Sequence, residues 1–266
     1  MMSAPRFYLP PGHDAGPTLR LAGPEAHHAL RVLRLKLGDA VSILDGAGAE
    51  FSCRVGKTGR DWLELEVREK KTTPPPPCPL TLLVGVPRGK ILESIIQKSV
   101  ELGARRVVPL LTERAVARLD GAGAEHKHDK LRRVAIEAIK QCGAAWLPEI
   151  EAPAPIGSVL ARREKFDLAL VGSLQTDRRP PREWLHEFHA QHRRPPRDAA
   201  VWIGPEGDFT LDELKQIEAA GALPITLGAL TLRVETAAIY CLSFLNYELN
   251  FYLDPQRRAI SIGPGR

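Results

Sequence analysis

The sequence predicts an α/β protein in which a small β-barrel precedes a parallel sheet with helical crossovers. Three observations carry this. Beyond residue 79, strand-like apolar runs alternate with amphipathic helical segments, the rhythm of βαβ units. From Arg6 to about Lys71 the chain instead shows short alternating runs divided by turn residues, as in a small barrel. Between the two, Thr72-Thr73-Pro74-Pro75-Pro76-Pro77-Cys78-Pro79 favours an extended polyproline segment that belongs in neither a helix nor an inner strand. The expected organisation is a barrel domain over 1–72, a stiff proline-rich linker over 73–79, an α/β domain over 80–253 and a frayed tail over 254–266.

In the first domain, Ala40 to Leu44 reads as a strand, Asp45-Gly46 as a turn, and Phe51 to Val55 and Trp62 to Val67 as further strands. One helix interrupts them. Pro24 suits its first turn, and Ala29, Leu30 and Leu33 fall on one side. In the second domain, Leu80 to Val86 is apolar enough for a strand buried on both faces, and Ile91 to Leu102 is an amphipathic helix closed by Gly103. Val107 to Leu111 is the next strand, Asp129 to Cys142 the next helix, and Phe166 to Val171 a strand ending in Gly172-Ser173. The segment 178–197, rich in arginine, histidine and proline around a short helix near Trp184 to His189, reads as a solvated surface excursion, with an RNA-facing role as the other reading.

Composition bounds the function. With 44% hydrophobic and 26% charged residues, the 266-residue chain is an ordinary globular protein. A net charge of +5 and a pI near 9.1 are compatible with a polyanionic partner without requiring one. Cys53, Cys78, Cys142 and Cys241 form no Cys-x-x-Cys pair and no Cys/His group with metal-ligand spacing, so reduced, mostly buried thiols and no metal are expected. No apolar leader opens the chain, and the apolar helix from Thr236 to Leu253 is interrupted by Asn246, Glu248 and Asn250. A cytoplasmic protein that does not span a membrane is the expectation.

The chemistry is concentrated between Ala199 and Thr236. Val201-Trp202-Ile203 stops at Gly204, and Ile225-Thr226-Leu227 stops at Gly228, giving two strand-to-loop junctions. Between them Thr210 and Glu213 fit a capping box, Leu211, Leu214 and Ile217 share a helical face, and Gly221 closes the helix. Loops leaving the carboxyl ends of parallel strands line ligand crevices, and glycine there lets backbone groups approach the ligand; glycine also simply ends strands and caps helices. No Gly-x-Gly-x-x-Gly follows the first strand and no Walker loop is present, which disfavours a dinucleotide or nucleoside triphosphate site. Arg31, Arg34 and Lys36, on the first helix and its exit, suit phosphate contacts or a solvated face equally.

Ile203-Gly204-Pro205-Glu206-Gly207, the acidic helix after it, and Leu227-Gly228-x-x-x-Leu232-Arg233-x-Glu235-Thr236-Ala237 resemble the two knot motifs of the ribosomal RNA small subunit methyltransferase E family, within the SPOUT methyltransferases. Similar matches upstream are Arg31-Val32-Leu33-Arg34, Asp45-Gly46, Gln97-Lys98-Ser99-Val100-Glu101-Leu102-Gly103, Glu113-Arg114 and Gln141-Cys142-Gly143. The resemblance implies an RNA-binding, PUA-like barrel before a parallel sheet whose carboxyl-terminal strands are tied in a trefoil knot. It also implies S-adenosylmethionine held by Leu170 to Leu174, Ile203 to Gly207 and Leu227 to Arg233. Cofactor contacts are expected at Leu170, Gly172, Ile203, Gly204, Glu206, Gly207, Leu227, Gly228, Leu232 and Arg233.

The reaction that the family implies is methylation at N3 of a uridine in small-subunit ribosomal RNA, on naked RNA or the assembled subunit. Arg233 would stabilise negative charge on the uracil, and Glu235 or Glu206 would take a proton or orient the base; each glutamate also suits a helix N-terminus for its dipole alone. Arg6 joins Arg31, Arg34 and Lys36 as an expected RNA contact, and pairing through the knot implies a homodimer. The chain departs from the family pattern at Asp208, where a second glycine is usual, at Ala229-Leu230 in place of Pro-Arg, at Val234 in place of threonine, and at Ala144 where arginine is common. The other readings are a non-catalytic RNA-binding or ribosome-assembly protein, and the same chemistry on another RNA.

Overall fold

A computed structural model describes residues 4–12, 16–114, 121–174 and 178–251. The chain divides into two compact units, Met1–Pro75 with Ile136–Leu147, and Pro76–Ala135 with Pro148–Arg266. The segment Ile136–Leu147, within the range expected for the α/β domain, thus groups with the first unit. The tail expected from residue 254 lies outside the described residues, as do the last two residues of the helix expected to reach Leu253.

The first unit is a curled five-stranded sheet in the order β1 (Arg6–Tyr8), β3 (Ala40–Leu44), β4 (Ala49–Thr58), β5 (Trp62–Thr72), β2 (Thr18–Ala22). β1 pairs with β3 in parallel and the other pairs are antiparallel. Alternate residues of β4, Phe51, Cys53 and Val55, point inward to meet Phe7, Leu19, Leu21, Val41, Ile43, Leu63 and Leu65, as a period-two strand requires. The helix begins as α1 (Gly23–His27), with proline in its first turn, and then widens into a π-turn over His28–Val32. Ala26 and Ala29 are buried, but Leu33 is exposed, not on the inward side with Ala29. The wider turn, in which Leu33 N–H donates to His28 O at 3.0 Å, shifts the register and carries that side chain outward.

Lys140, near the end of α3 (Gly121–Cys142), belongs to this unit and is almost completely buried. Its Nζ lies 2.8 Å from Glu25 Oε1 and 2.9 Å from Glu137 Oε1. Burial alone would lower the Lys140 pKa, but the two carboxylates more than offset it and the net shift is upward.

The second unit is a parallel sheet in the order β12 (Ala222–Ile225), β10 (Leu168–Gly172), β11 (Ala199–Ile203), β6 (Leu80–Gly85), β7 (Ala104–Leu111), β8 (Glu149–Ile150), with β9 (Ala154–Pro155) also on β7. The wholly buried runs of β6 and β11 are the two strands at its centre. On one face α6 (Leu211–Ala219) contributes Leu214 and Ile217 to a core with Leu83, Val108, Val171, Trp202 and Phe209. Also on the sheet, α7 (Val234–Asn246) packs against β6, β11 and α2 (Ile91–Glu101).

Several expectations needed correction. The last strand ends at Ile225, because Thr226 turns back: its hydroxyl and the backbone of Gly228 lie within 3.3 Å in both directions. Leu211 is exposed, whereas Leu214 and Ile217 are buried as expected. α3 begins at Gly121, ahead of Asp129; in the added stretch His128 Nε2 lies 2.8 Å from Ile150 O, a long-range contact with no periodic signature, and just beyond it Lys130 Nζ reaches Glu93 at 2.6 Å. The segment 178–197 is no loose excursion. α5 (Pro181–His192) buries Leu185 and Phe188, Arg179 stacks 3.9 Å from the Trp184 ring, and Trp184 Nε1 donates to Pro224 O at 3.1 Å. Arg179 also forms a parallel bridge to Ile225, so it covers the open edge of β12.

Cys53, Cys78 and Cys241 are buried and Cys142 is exposed. Burial pushes their thiols up, Cys53 to about 11 and Cys78 and Cys241 to about 12. Among the described residues no helix is long and apolar enough to cross a membrane.

Candidate functional site

Because β12, β10, β11 and β6 run parallel, their carboxyl ends emerge along one edge of the sheet. The loops leaving them enclose a cleft of about 420 Å³, lined by Ile91, Gly172 to Leu174, Arg178, Ile203 to Glu206, Asp208, Leu227, Gly228 and Leu230 to Glu235, with Ala237. That volume lies in the range of small-molecule sites. Its walls include the apolar side chains of Ile203, Leu227 and Leu232, and its glycines expose backbone where the chain has no side chain to intervene.

The glycines are there for measurable steric reasons. A Cβ on Gly204 would lie 2.8 Å from Asp208 Oδ1 and 3.0 Å from the Phe209 backbone nitrogen, so only glycine lets the loop fold back over β11. A Cβ on Gly172 would lie 3.2 Å from the Ile203 side chain. Gly228 has φ +115, a conformation that side chains disfavour. Asp208, at φ +58, occupies the left-handed region, which accounts for glycine being usual there.

Beneath the cleft, α6 anchors the loop. Thr210 accepts from Glu213 N–H at 3.2 Å while Glu213 Oε2 accepts from Thr210 N–H at 2.9 Å, the reciprocal capping box expected. The other oxygen of Glu213 accepts from Glu113 N–H at 2.8 Å, fixing the end of β7 to the same loop.

Most of the residues singled out from the sequence converge here: Gly172, Ile203, Gly204, Glu206, Leu227, Gly228, Leu232, Arg233 and Glu235 all line the cleft. Two stand apart. Leu170 is fully buried and lines a small hollow with Pro181, Ile225, Tyr240 and Cys241 instead. Gly207 faces outward, where Arg114 Nη1 donates to its carbonyl at 2.7 Å. In the first unit, Arg31, Arg34 and Lys36 are exposed, whereas Arg6 donates to Lys140 O and Gln141 O at 3.4 and 3.3 Å, satisfying carbonyls at the end of α3.

The charges have distinct surroundings. Arg233 is the exposed N-cap residue of α7, and half-buried Glu235 lies in that helix's first turn, where the dipole favours an acid. Glu206 Oε1 accepts from Arg88 N–H at 2.9 Å, so this carboxylate ties the loop after β6 to the loop after β11. Arg178 Nη1 donates to Ser173 O at 2.9 Å.

Sequence reasoning missed Ile91, which lines the cleft, and Gly85 and Arg88, which hold the loop at Pro205 and Glu206. A Cβ on Gly85 would lie 2.5 Å from the Pro205 nitrogen. The signal was available: Val86-Pro87-Arg88-Gly89-Lys90 is a glycine-containing loop at the carboxyl end of a strand, the same grounds on which the later loops were chosen.

Comparison with known proteins agrees with this geometry. An RNA methyltransferase domain model matches residues 74–246, and an RNA methyltransferase PUA domain model matches residues 21–68. The chain is 29% identical over 238 residues to ribosomal RNA small subunit methyltransferase E of Bacillus subtilis, covering 88% of this chain and 92% of that one. Ribosomal RNA small subunit methyltransferase E from Neisseria gonorrhoeae, solved bound to S-adenosyl methionine, superposes with TM-score 0.79 at 26% identity, covering 92% of this chain and 98% of that one. A methyltransferase from Legionella pneumophila, solved with SAM, gives TM-score 0.82 at 28% identity, covering 93% and 98%. With the methyltransferase model spanning well over half its length, the chain belongs to the RNA methyltransferase family, in its ribosomal RNA small subunit methyltransferase E branch.

Proposed function

We propose that the cleft binds S-adenosylmethionine and that the chain methylates N3 of a uridine in small-subunit ribosomal RNA. One observation carries this reading: three loops from adjacent parallel strands close on a single cleft with apolar walls, exposed backbone and a cationic side chain, Arg233, lining it. The residues suit the group. Ile203, Leu227 and Leu232 offer apolar surface for an adenine, and Gly172, Gly204 and Gly228 leave backbone donors and acceptors accessible. When bound, the cofactor supplies an electrophilic methyl group on a sulfonium.

The chain's own residues then deal with the acceptor. Uridine N3 carries a weakly acidic proton, so the site must favour its loss and hold the anion in line. Arg233 stabilises the negative charge on the uracil. Glu235 is the better placed of the two carboxylates to receive the proton, since Glu206 is already engaged with the Arg88 backbone and holds the loops together. Leu170 and Gly207 act behind the pocket, Leu170 as packing and Gly207 as the point where Arg114 steadies the loop.

The exposed Arg31, Arg34 and Lys36 make phosphate contacts to the RNA, while Arg6 braces α3. The carboxyl-terminal segment is threaded as the family's trefoil knot, and two copies pair through it in the cytoplasm, with the exposed rings of Tyr240 and Tyr247 on and just beyond α7 available to that pairing. The test is titration of the purified chain with S-adenosylmethionine, then methyl transfer to small subunits lacking the mark, with the modified atom mapped. Arg233→Ala is expected to fold normally and lose transfer by two or more orders of magnitude, on the order of an electrostatic contact made in the transition state. Wild-type protein that binds the cofactor but modifies no small-subunit uridine would refute the reading.

A further inference from the structure

Asp208 departs from the glycine usual at its position, yet it keeps the backbone that a glycine would adopt, with φ +58. Aspartate is among the few side chains that tolerate this region, because its carboxylate bonds locally. Here Oδ1 accepts from Phe209 N–H at 2.8 Å, the Asp208 N–H donates to Pro205 O at 2.8 Å, and Oδ2 lies 3.4 Å from Leu174 N. The side chain is half-buried, packs over Gly204, and lines the cleft between the loop after β10 and the loop after β11. Among the described residues, two cationic side chains also line the cleft: Arg178, which donates to Ser173 O, and Arg233, at the N-cap position of α7 with no side-chain bond to that helix.

We propose that Asp208 makes the cleft charge-selective, favouring the sulfonium of S-adenosylmethionine over the uncharged thioether of the demethylated product. The inference rests on the cofactor reading above and adds a determinant that acts on ligand exchange. The two ligands differ by one methyl group and one positive charge, so the ratio of their affinities isolates the interaction with that charge. A carboxylate and a sulfonium several ångströms apart in a partly solvated cleft interact strongly enough to change an affinity roughly three- to tenfold, and salt weakens this.

The experiment is calorimetric titration of the full-length wild type, Asp208→Asn and Asp208→Gly with S-adenosylmethionine and with S-adenosylhomocysteine, at low and high salt. Asparagine tolerates the same φ and keeps an acceptor for Phe209 N–H, so it removes the charge at the cost of the long contact to Leu174 N–H, which its NH2 group does not accept. Both variants are expected to bind the product within about twofold of wild type and the cofactor about three- to tenfold more weakly at low salt. Thermal melts establish folding, and Asp208→Gly, free of backbone strain, provides the second reading should the asparagine variant fold poorly. An affinity ratio unchanged in the folded variants overturns the proposal alone. Wild-type protein that binds neither ligand overturns it together with the cofactor reading.

Discussion

Replacing Gly85 with alanine tests whether β6 sets the position of the loop that floors the cleft. Gly85 has no left-handed φ, so the substitution introduces no backbone strain and only space is at issue. The new Cβ would lie 2.5 Å from the Pro205 nitrogen, 2.6 Å from its Cδ and 3.1 Å from the Gly204 carbonyl carbon. Ordinary contact begins near 3.4 Å, and the obstacle is backbone and a rigid ring rather than a flexible side-chain tip. Strand β6 and the 204–205 segment must therefore part by nearly an ångström. Overpacking of this kind costs about 1–3 kcal/mol, and the displaced residues carry the Gly204 turn and, through Glu206, the loop at Arg88. Since each 1.4 kcal/mol is tenfold, the affinity for S-adenosylmethionine should fall by roughly 5- to 150-fold. Calorimetric titration measures this, and thermal melting follows the stability. Gly157→Ala is the control: its Cβ would meet nothing within 4 Å and its φ is not left-handed, so it should leave both values unchanged or raise stability slightly. A Gly85→Ala protein that binds within twofold of wild type refutes the argument, even if it melts earlier, because the strand would then not control the cleft.

Glu206→Gln retains an acceptor for the Arg88 N–H and is expected to keep cofactor affinity within about threefold, whereas Glu206→Ala should lose about tenfold, the worth of one bond to a charged acceptor; equal losses in a titration would return Glu206 to a charge-dependent role. Lys140→Met leaves the Glu25 carboxylate without its buried partner and should cost about 1–3 kcal/mol, less than for a fully buried pair because Glu137 is exposed; a chemical denaturation midpoint equal to wild type would contradict this. Asp167, whose carboxylate accepts from the Arg194 guanidinium and from Arg197 N–H, is held at about 2 against an ordinary 3.8. A depressed carboxylate stabilises the fold above its unfolded pKa and loses that contribution as the pH falls through the window from 3.8 to about 2. Asp167→Asn should therefore melt below wild type at neutral pH, with the gap closing across that window; a gap independent of pH would show that the ion pair is not its source.

Local chemistry made much of this protein legible in its sequence. Thr210 and Glu213 announced a capping box because both halves of the motif lie three residues apart, and the structure forms both bonds. The apolar run of β6 announced a strand covered on both faces, and that of β11 a strand ending at Gly204; the structure buries both at the centre of the sheet. The glycines at 172, 204 and 228 announced loops at the edge of a sheet. Other features depended on partners far away in the chain. The added first turns of α3 meet Ile150 through His128, the packing of α5 rests on Pro224 and Ile225, and the burial of Lys140 rests on Glu25. Leu33 and Leu211 were read onto inward faces that the chain does not give them, in the first case because a π-turn changes the period of the helix.

By itself, then, the sequence determined the class of the fold, the strands that carry the site and the glycines that open it, since each follows from the periodicity and stereochemistry of neighbouring residues. The tertiary structure alone decided that Gly85 packs against Pro205, that Leu170 and Gly207 stand apart from the cleft, and that Asp208 lines it. Those outcomes depend on which strand lies beside which, and hydrogen bonding between distant strands leaves no trace in the order of residues along any one of them.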